Sequence, residues 1–160
     1  MSVDERIAEL GIVIPATTAP VANYVSTRRS GNLLFVSGHI SKRDGVVVTG
    51  TVGDGVDTQT AYDLARLCAL DVLGTIRAAL GSLDDVTLVK IIGFVHSAPG
   101  FSEQSAVING ASDLFVQVLG AERGAHARSA IGVVQLPLDA AVEVEAIVEI
   151  TSVGADKPVG

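Results

Sequence analysis

Every second residue from Val142 to Ile150 is apolar: Val142, Val144, Ala146, Val148 and Ile150 alternate with Glu143, Glu145, Ile147 and Glu149. Side chains of a strand point to opposite faces in turn, so the run predicts a strand with one core face and one face carrying three carboxylates. A second strand-like run begins at Ala127-Arg-Ser, and a Pro-containing turn at 136–141 lies between the two. The pair therefore reads as an antiparallel hairpin or a closely related strand pair. A guanidinium at the start of one strand, beside carboxylates on its neighbour, could hold a small acid and activate water. A plain solvated outer face would leave the same pattern.

Periodicity divides the rest of the chain. Residues 4–10 predict one or two helical turns, ended by Gly11 and Pro15. Residues 24–28 and 33–40 read as strands joined across Ser30-Gly31-Asn32, and Arg43-Asp44-Gly45 turns into a third at 46–49. Gly38 inside the second strand marks a bulge or a close approach to the backbone. After a Gly- and Asp-rich loop at 50–57, a long helix is expected over 58–80. Its stripe is Ala61, Leu64, Ala65, Cys68, Val72 and Ile76, and Gly81 stops it. Residues 86–96 are apolar apart from Thr87, Lys90 and His96, as in a strand covered on both faces. Ser102 is expected to cap a second helix over 103–119, with Phe101 packed back onto Ala106. That helix should bury Val107, Ile108, Ala111, Leu114, Phe115 and Val118 and end at Gly120. The order β-β-β-α-β-α-β-β predicts an α+β fold: about six strands in a mixed sheet, with two helices packed on one face.

Composition narrows the setting. A chain of 160 residues suits one domain over 1–160, with 1–18 as an N-terminal extension and 154–160 as a loose tail. The net charge of −7 argues against a nucleic-acid partner. Hydrophobic residues make up 48%, yet no apolar run approaches the roughly 18 residues of a membrane span, so no membrane partner is expected. The surplus apolar surface fits a subunit interface. Asp4, Glu5, Arg6 and Glu9 leave no apolar leader at the start, and the one cysteine, Cys68 among leucines, reads as a buried hydrophobe. A cytoplasmic location is the expectation. The three histidines lack ligand spacing, and no phosphate or dinucleotide loop is present, so neither metal nor cofactor is expected.

Three segments carry a family likeness. Arg128-Ser, then Leu136-Pro, then Val142-Glu-Val-Glu-Ala146 resembles the C-terminal signature of the RidA (YjgF-type) family, the reactive enamine/imine deaminases. Ala19-Pro-Val-Ala-Asn-Tyr-Val25 resembles the family's N-terminal Pro-Tyr element, and Gly31-Asn-Leu-Leu-Phe-Val-Ser-Gly-His39 its second strand. Together they span most of residues 19–150. The resemblance implies a chorismate-mutase-like fold and a homotrimer with sites between subunits.

It also implies roles. Arg128 would hold a substrate carboxylate, for which a planar fork of donors is suited. Glu143 would serve the reactive water as base and then as acid. Tyr24, the Ser37-Gly38 backbone groups, Phe94 and Asn109 fall at positions similar to ligand-lining ones. Glu145 and Glu149 match no such position and read as solvated or interface charges. The sequence departs from the family pattern at Ala130, where Cys is frequent, and in longer stretches at 49–57 and 97–103. Three functions follow: hydrolytic deamination of small enamines or imines to 2-keto acids, a non-catalytic trimer binding small carboxylates, and an endoribonuclease, which the net charge disfavours.

Overall fold

A computed structural model of the chain describes residues 1–17 and 23–151. Residues 19–22 of the Pro-Tyr element and the 154–160 tail lie outside the described residues.

The chain opens with α1 (Val3–Glu9), nucleated by a capping box in which Ser2 and Glu5 bond each other's backbone N–H groups. Val3 and Ile7 of this helix, with Ile14, join the main hydrophobic cluster, so the N-terminal extension is part of the core.

Five strands form the central sheet: β1 (Thr27–Ser30), β2 (Leu33–Ile40), and later β7 (Val86–His96), β8 (Ala127–Val133) and β9 (Val142–Ile150). Between β2 and the first long helix run four two-residue strands. β3 (Lys42–Arg43) pairs with β4 (Val46–Val47), and β5 (Thr51–Val52) pairs with β6 (Gly55–Val56). The expected strand at 46–49 thus leaves the main sheet, because Asp44 and Gly45 both take positive φ and fold it back on β3. The expected strand at 24–28 begins only at Thr27.

Both long helices cover one face. α2 (Thr58–Leu80) keeps the expected bounds, with Asp57 capping the Thr60 N–H at 2.7 Å and Gly81 closing it in the left-handed conformation. All six residues of its expected stripe are fully buried, as are the six of α3 (Gln104–Leu119). Ser102 does not cap α3: Glu103 holds the cap position without a side-chain bond. Gln104 instead reaches back to the Phe101 carbonyl at 2.9 Å. The helices touch closely at Gly110, where any Cβ would collide with the Tyr62 carbonyl.

The sheet order is β1-β2-β9-β7-β8. This corrects the expected hairpin, because β7 lies between β8 and β9. The segment β7–α3–β8 is a parallel crossover, with Ile91 opposite Arg128. The chain then passes the end of β7 through a turn of 3-10 helix at Pro137–Asp139, where Leu138 and Asp139 are left-handed, and returns antiparallel on the other side. Along β9 the alternation holds: Val142, Val144, Ala146, Val148 and Ile150 face the helices and are buried. In the single chain β7 is also covered on one face alone, the other being half-buried.

Candidate functional site

The face of the sheet turned away from the helices carries most of the expected site. Glu143 pairs across the ladder with Phe94, and Phe94 with Ile131, so these three side chains share that face. Glu143 leans over the backbone of β2 at Gly38, where a Cβ would strike its carboxylate. The register between β2 and β9 slips at this point, so Gly38 is both the bulge and the close approach. Burial, with Glu145 two residues on, raises the Glu143 pKa above the ordinary carboxylate value.

Beside it lies an open cavity of about 440 Å³, whose lining includes Tyr24, Arg28, Phe35, Ser37, Glu145 and Ile147. Its floor follows from the alternation of β2 and β9, and its rim from a hydrogen bond. The Ser37 hydroxyl donates to the Val25 carbonyl at 2.7 Å, tying down the segment that carries Tyr24. The Ser37 N–H is already given to the Ser26 carbonyl at 2.9 Å. Glu145 and Arg28 are the residues sequence reasoning missed. Glu145 was legible from parity alone, since it stands two positions from Glu143.

Arg128 lies elsewhere. Opposite buried Ile91, it points to the helix side of the outermost strand. Its Nη1 donates to Asn109 Oδ1 at 2.8 Å and Ser112 Oγ at 3.1 Å, and its Nη2 to the Ser105 carbonyl at 3.4 Å. Ser105, Asn109 and Ser112 are spaced i, i+4, i+7 and form one polar stripe of α3 overhanging β8. The two expected catalytic residues are therefore on opposite faces of the sheet. Arg128 and Asn109 form one half-site; Tyr24, Ser37, Gly38, Phe94 and Glu143 gather toward the other.

Nε2 of His39, His96 and His126 each lies against a hydroxyl, of Thr75, Thr51 and Ser112 at 3.0, 3.2 and 3.0 Å. Burial, aided by Lys42, lowers the His39 pKa to about 4. His39 lines a second cavity, of about 390 Å³, between α2 and the N-terminal segment. Burial, with Asp71 and Glu143 adding charge, drives the Cys68 thiol far above its usual pKa. Among the described residues no three potential ligands cluster to hold a metal, and no helix is long and apolar enough to cross a membrane.

The model of the family described as Endoribonuclease L-PSP matches residues 15–150. The chain belongs to this family, the YjgF/RidA superfamily. All three segments with a family likeness fall inside the match. Protein TCP17 of Trypanosoma cruzi is 50% identical over 149 residues, covering 92% of this chain and 93% of that protein. The crystal structure of Atu1372 from Agrobacterium tumefaciens, a protein of unknown function, is 47% identical with a TM-score of 0.84 over 92% of each chain. Escherichia coli TdcF, solved with bound serine, is 26% identical with a TM-score of 0.59, over 88% of this chain and 98% of that one. The mixed sheet and its helices are those of L-PSP structures.

Proposed function

We propose that this L-PSP protein hydrolyses small reactive enamine/imine intermediates, of the 2-aminoacrylate and 2-iminopropionate type, to 2-keto acids in clefts between the subunits of a cytoplasmic homotrimer. The observation that carries the reading is the division of the candidate residues between two faces of one sheet. A single chain does not bring the Arg128 fork and the Glu143 carboxylate to one small ligand. Copies that abut edge to face would complete the site, and the open face offers the apolar contact: Phe35 and Ile131 are 42% and 44% exposed in the lone chain.

The chemistry needs no cofactor. The substrate carboxylate docks on the Arg128 guanidinium. An enamine first takes a proton from solvent at its terminal carbon and becomes the iminium ion, the protonated imine. Water then adds its oxygen to the imine carbon, giving one proton to Glu143 while the nitrogen becomes an amine. Glu143 returns that proton to the nitrogen, the C–N bond breaks, and the carbinolamine hydroxyl gives its proton to the departing ammonia to form the keto group; ammonium leaves. One carboxylate with a raised pKa suits both steps, because it holds and releases a proton nearer neutral pH.

A second reading, a trimer that binds small amino or keto acids without turnover, is favoured by the serine bound in TdcF. The experiment supplies 2-iminopropionate from a coupled oxidase and follows keto acid and ammonia. On the hydrolase reading the wild type accelerates the reaction, Glu143→Gln loses about 10²–10⁴-fold in turnover, and Arg128→Ala no longer binds keto acid. Co-expressing these two variants in one cell should restore part of the activity, since some clefts then pair an intact Arg128 with an intact Glu143. Keto-acid binding without acceleration leaves the binding reading. Activity surviving Glu143→Gln within about threefold overturns the mechanism. RNA cleavage that persists in both variants would instead point to the family's endoribonuclease label.

A further inference from the structure

Arg128 belongs to an edge strand, and its long side chain has many rotamers to choose from. A serine hydroxyl that merely accepts from it would hold it weakly, because that hydroxyl could itself rotate. Here it cannot. The Ser112 oxygen is 3.1 Å from Arg128 Nη1 and 3.0 Å from His126 Nε2. Arginine has only donors, so Ser112 accepts from it and has its single hydrogen left for the imidazole. That requires a bare Nε2. The other ring nitrogen, Nδ1, is 2.6 Å from the Gly124 carbonyl, which can only accept, so Nδ1 carries the hydrogen. The Phe115 ring, fully buried, stands edge-on to the imidazole at 72° and 6.4 Å between centroids, which limits its tilt. Every polarity along the line Gly124–His126–Ser112–Arg128–Asn109 is thereby determined.

The consequence falls on the guanidinium. Both hydrogens of Nη1 are taken, by Asn109 and Ser112, and Nη2 has one long bond to Ser105. Nε has no partner among the described residues. What is left is the side-on edge made by Nε and Nη2, two donors at the spacing of a carboxylate.

We propose that Ser112 and His126 are positioning residues: through the Nδ1–H tautomer of His126 they lock the Arg128 guanidinium with its Nε–Nη2 edge presented to the ligand carboxylate. The inference rests on the reading that Arg128 receives that carboxylate.

The test measures pyruvate affinity by calorimetry, kcat and KM with 2-iminopropionate, and the 15N shifts of the His126 ring at alkaline pH. Ser112→Ala should weaken pyruvate binding about tenfold, the loss of roughly one charged hydrogen bond's worth of order. KM should rise in step, with a smaller fall in kcat. Ser112→Thr, which keeps the hydroxyl, should recover most of the affinity, and His126→Gln, which keeps an acceptor, should bind better than His126→Ala. A purely packing role would lower the melting temperature of the unliganded variants without the rescue by Thr or Gln. Equal pyruvate affinity in the wild type and Ser112→Ala, or an Nε2–H tautomer, would overturn the proposal. If instead the wild type binds no pyruvate, or Arg128→Ala binds it unchanged, the underlying reading of Arg128 has failed.

Discussion

The two faces of the central sheet do different work. Toward the helices, β9 sends Val142, Val144 and Val148, all fully buried, against α2. Away from them the same strand sends Glu143, Glu145, Ile147 and Glu149, none of them buried in the lone chain. Stability is concentrated on one side and chemistry on the other, and the period of two that builds a strand enforces the division. Parity along β9 thus forecasts what a substitution disturbs. Arg128 is the informative exception: it reaches to the covered side, but at the outermost strand, where α3 supplies polar rather than apolar neighbours.

The largest effect is expected on the covered face. Phe115→Ala, deep under α3, should cost about 3–5 kcal/mol in urea unfolding; a loss below about 1 kcal/mol would mean that the covered face does not carry the fold.

The next effect comes from pH. The folded-state pKa of His39 is about 4, against 6.5 unfolded. Between those values the unfolded chain holds a proton that the folded chain refuses. Stability is therefore complete above about pH 6.5 and falls toward pH 4, by at most about 3 kcal/mol. Glu143 and Asp71, both raised by burial, act oppositely by favouring the folded state as they protonate. The difference between wild type and His39→Gln in acid titrations of stability isolates the histidine; identical acid limbs would remove it.

On the open face, Ile131→Glu should split the assembly. Burying an uncompensated charge there costs on the order of several kcal/mol per ion, while the fold should persist by circular dichroism. Light scattering should show the wild type at three times the chain mass of 16.4 kDa and the variant at that mass. A wild-type monomer at micromolar concentration sinks the homotrimer. The smallest effect is at the cavity rim. On the hydrolase reading the Tyr24 hydroxyl bonds the substrate, so Tyr24→Phe should cost about 1 kcal/mol and raise KM roughly fivefold with kcat little changed.

How far the sequence could be read follows from the range of each interaction. α2 was legible because its apolar stripe and its Gly81 stop are local. The alternation of β9 was legible for the same reason. That β7 would insert between β8 and β9 was not, because strand order depends on the α3 crossover and on a left-handed Leu138-Asp139 turn that no local signal marks. Arg128 and Glu143 were picked out by family likeness, yet their opposite faces required the register with Ile91 and Phe94. The stripe Ser105–Asn109–Ser112 was open to helical spacing beside the apolar one.

Cys68 gives the molecule a built-in clock. The chain has one thiol, fully buried on α2 with its sulfur 3.7 Å from the Val142 carbonyl, behind the strand that carries Glu143. Alkylating reagents attack thiolates, and this one is neither ionised nor reachable while α2 lies on the sheet. Its labelling rate therefore counts the moments when helix and sheet part. Ligand that steadies the folded assembly should slow the count, with no dye, tag or added tryptophan.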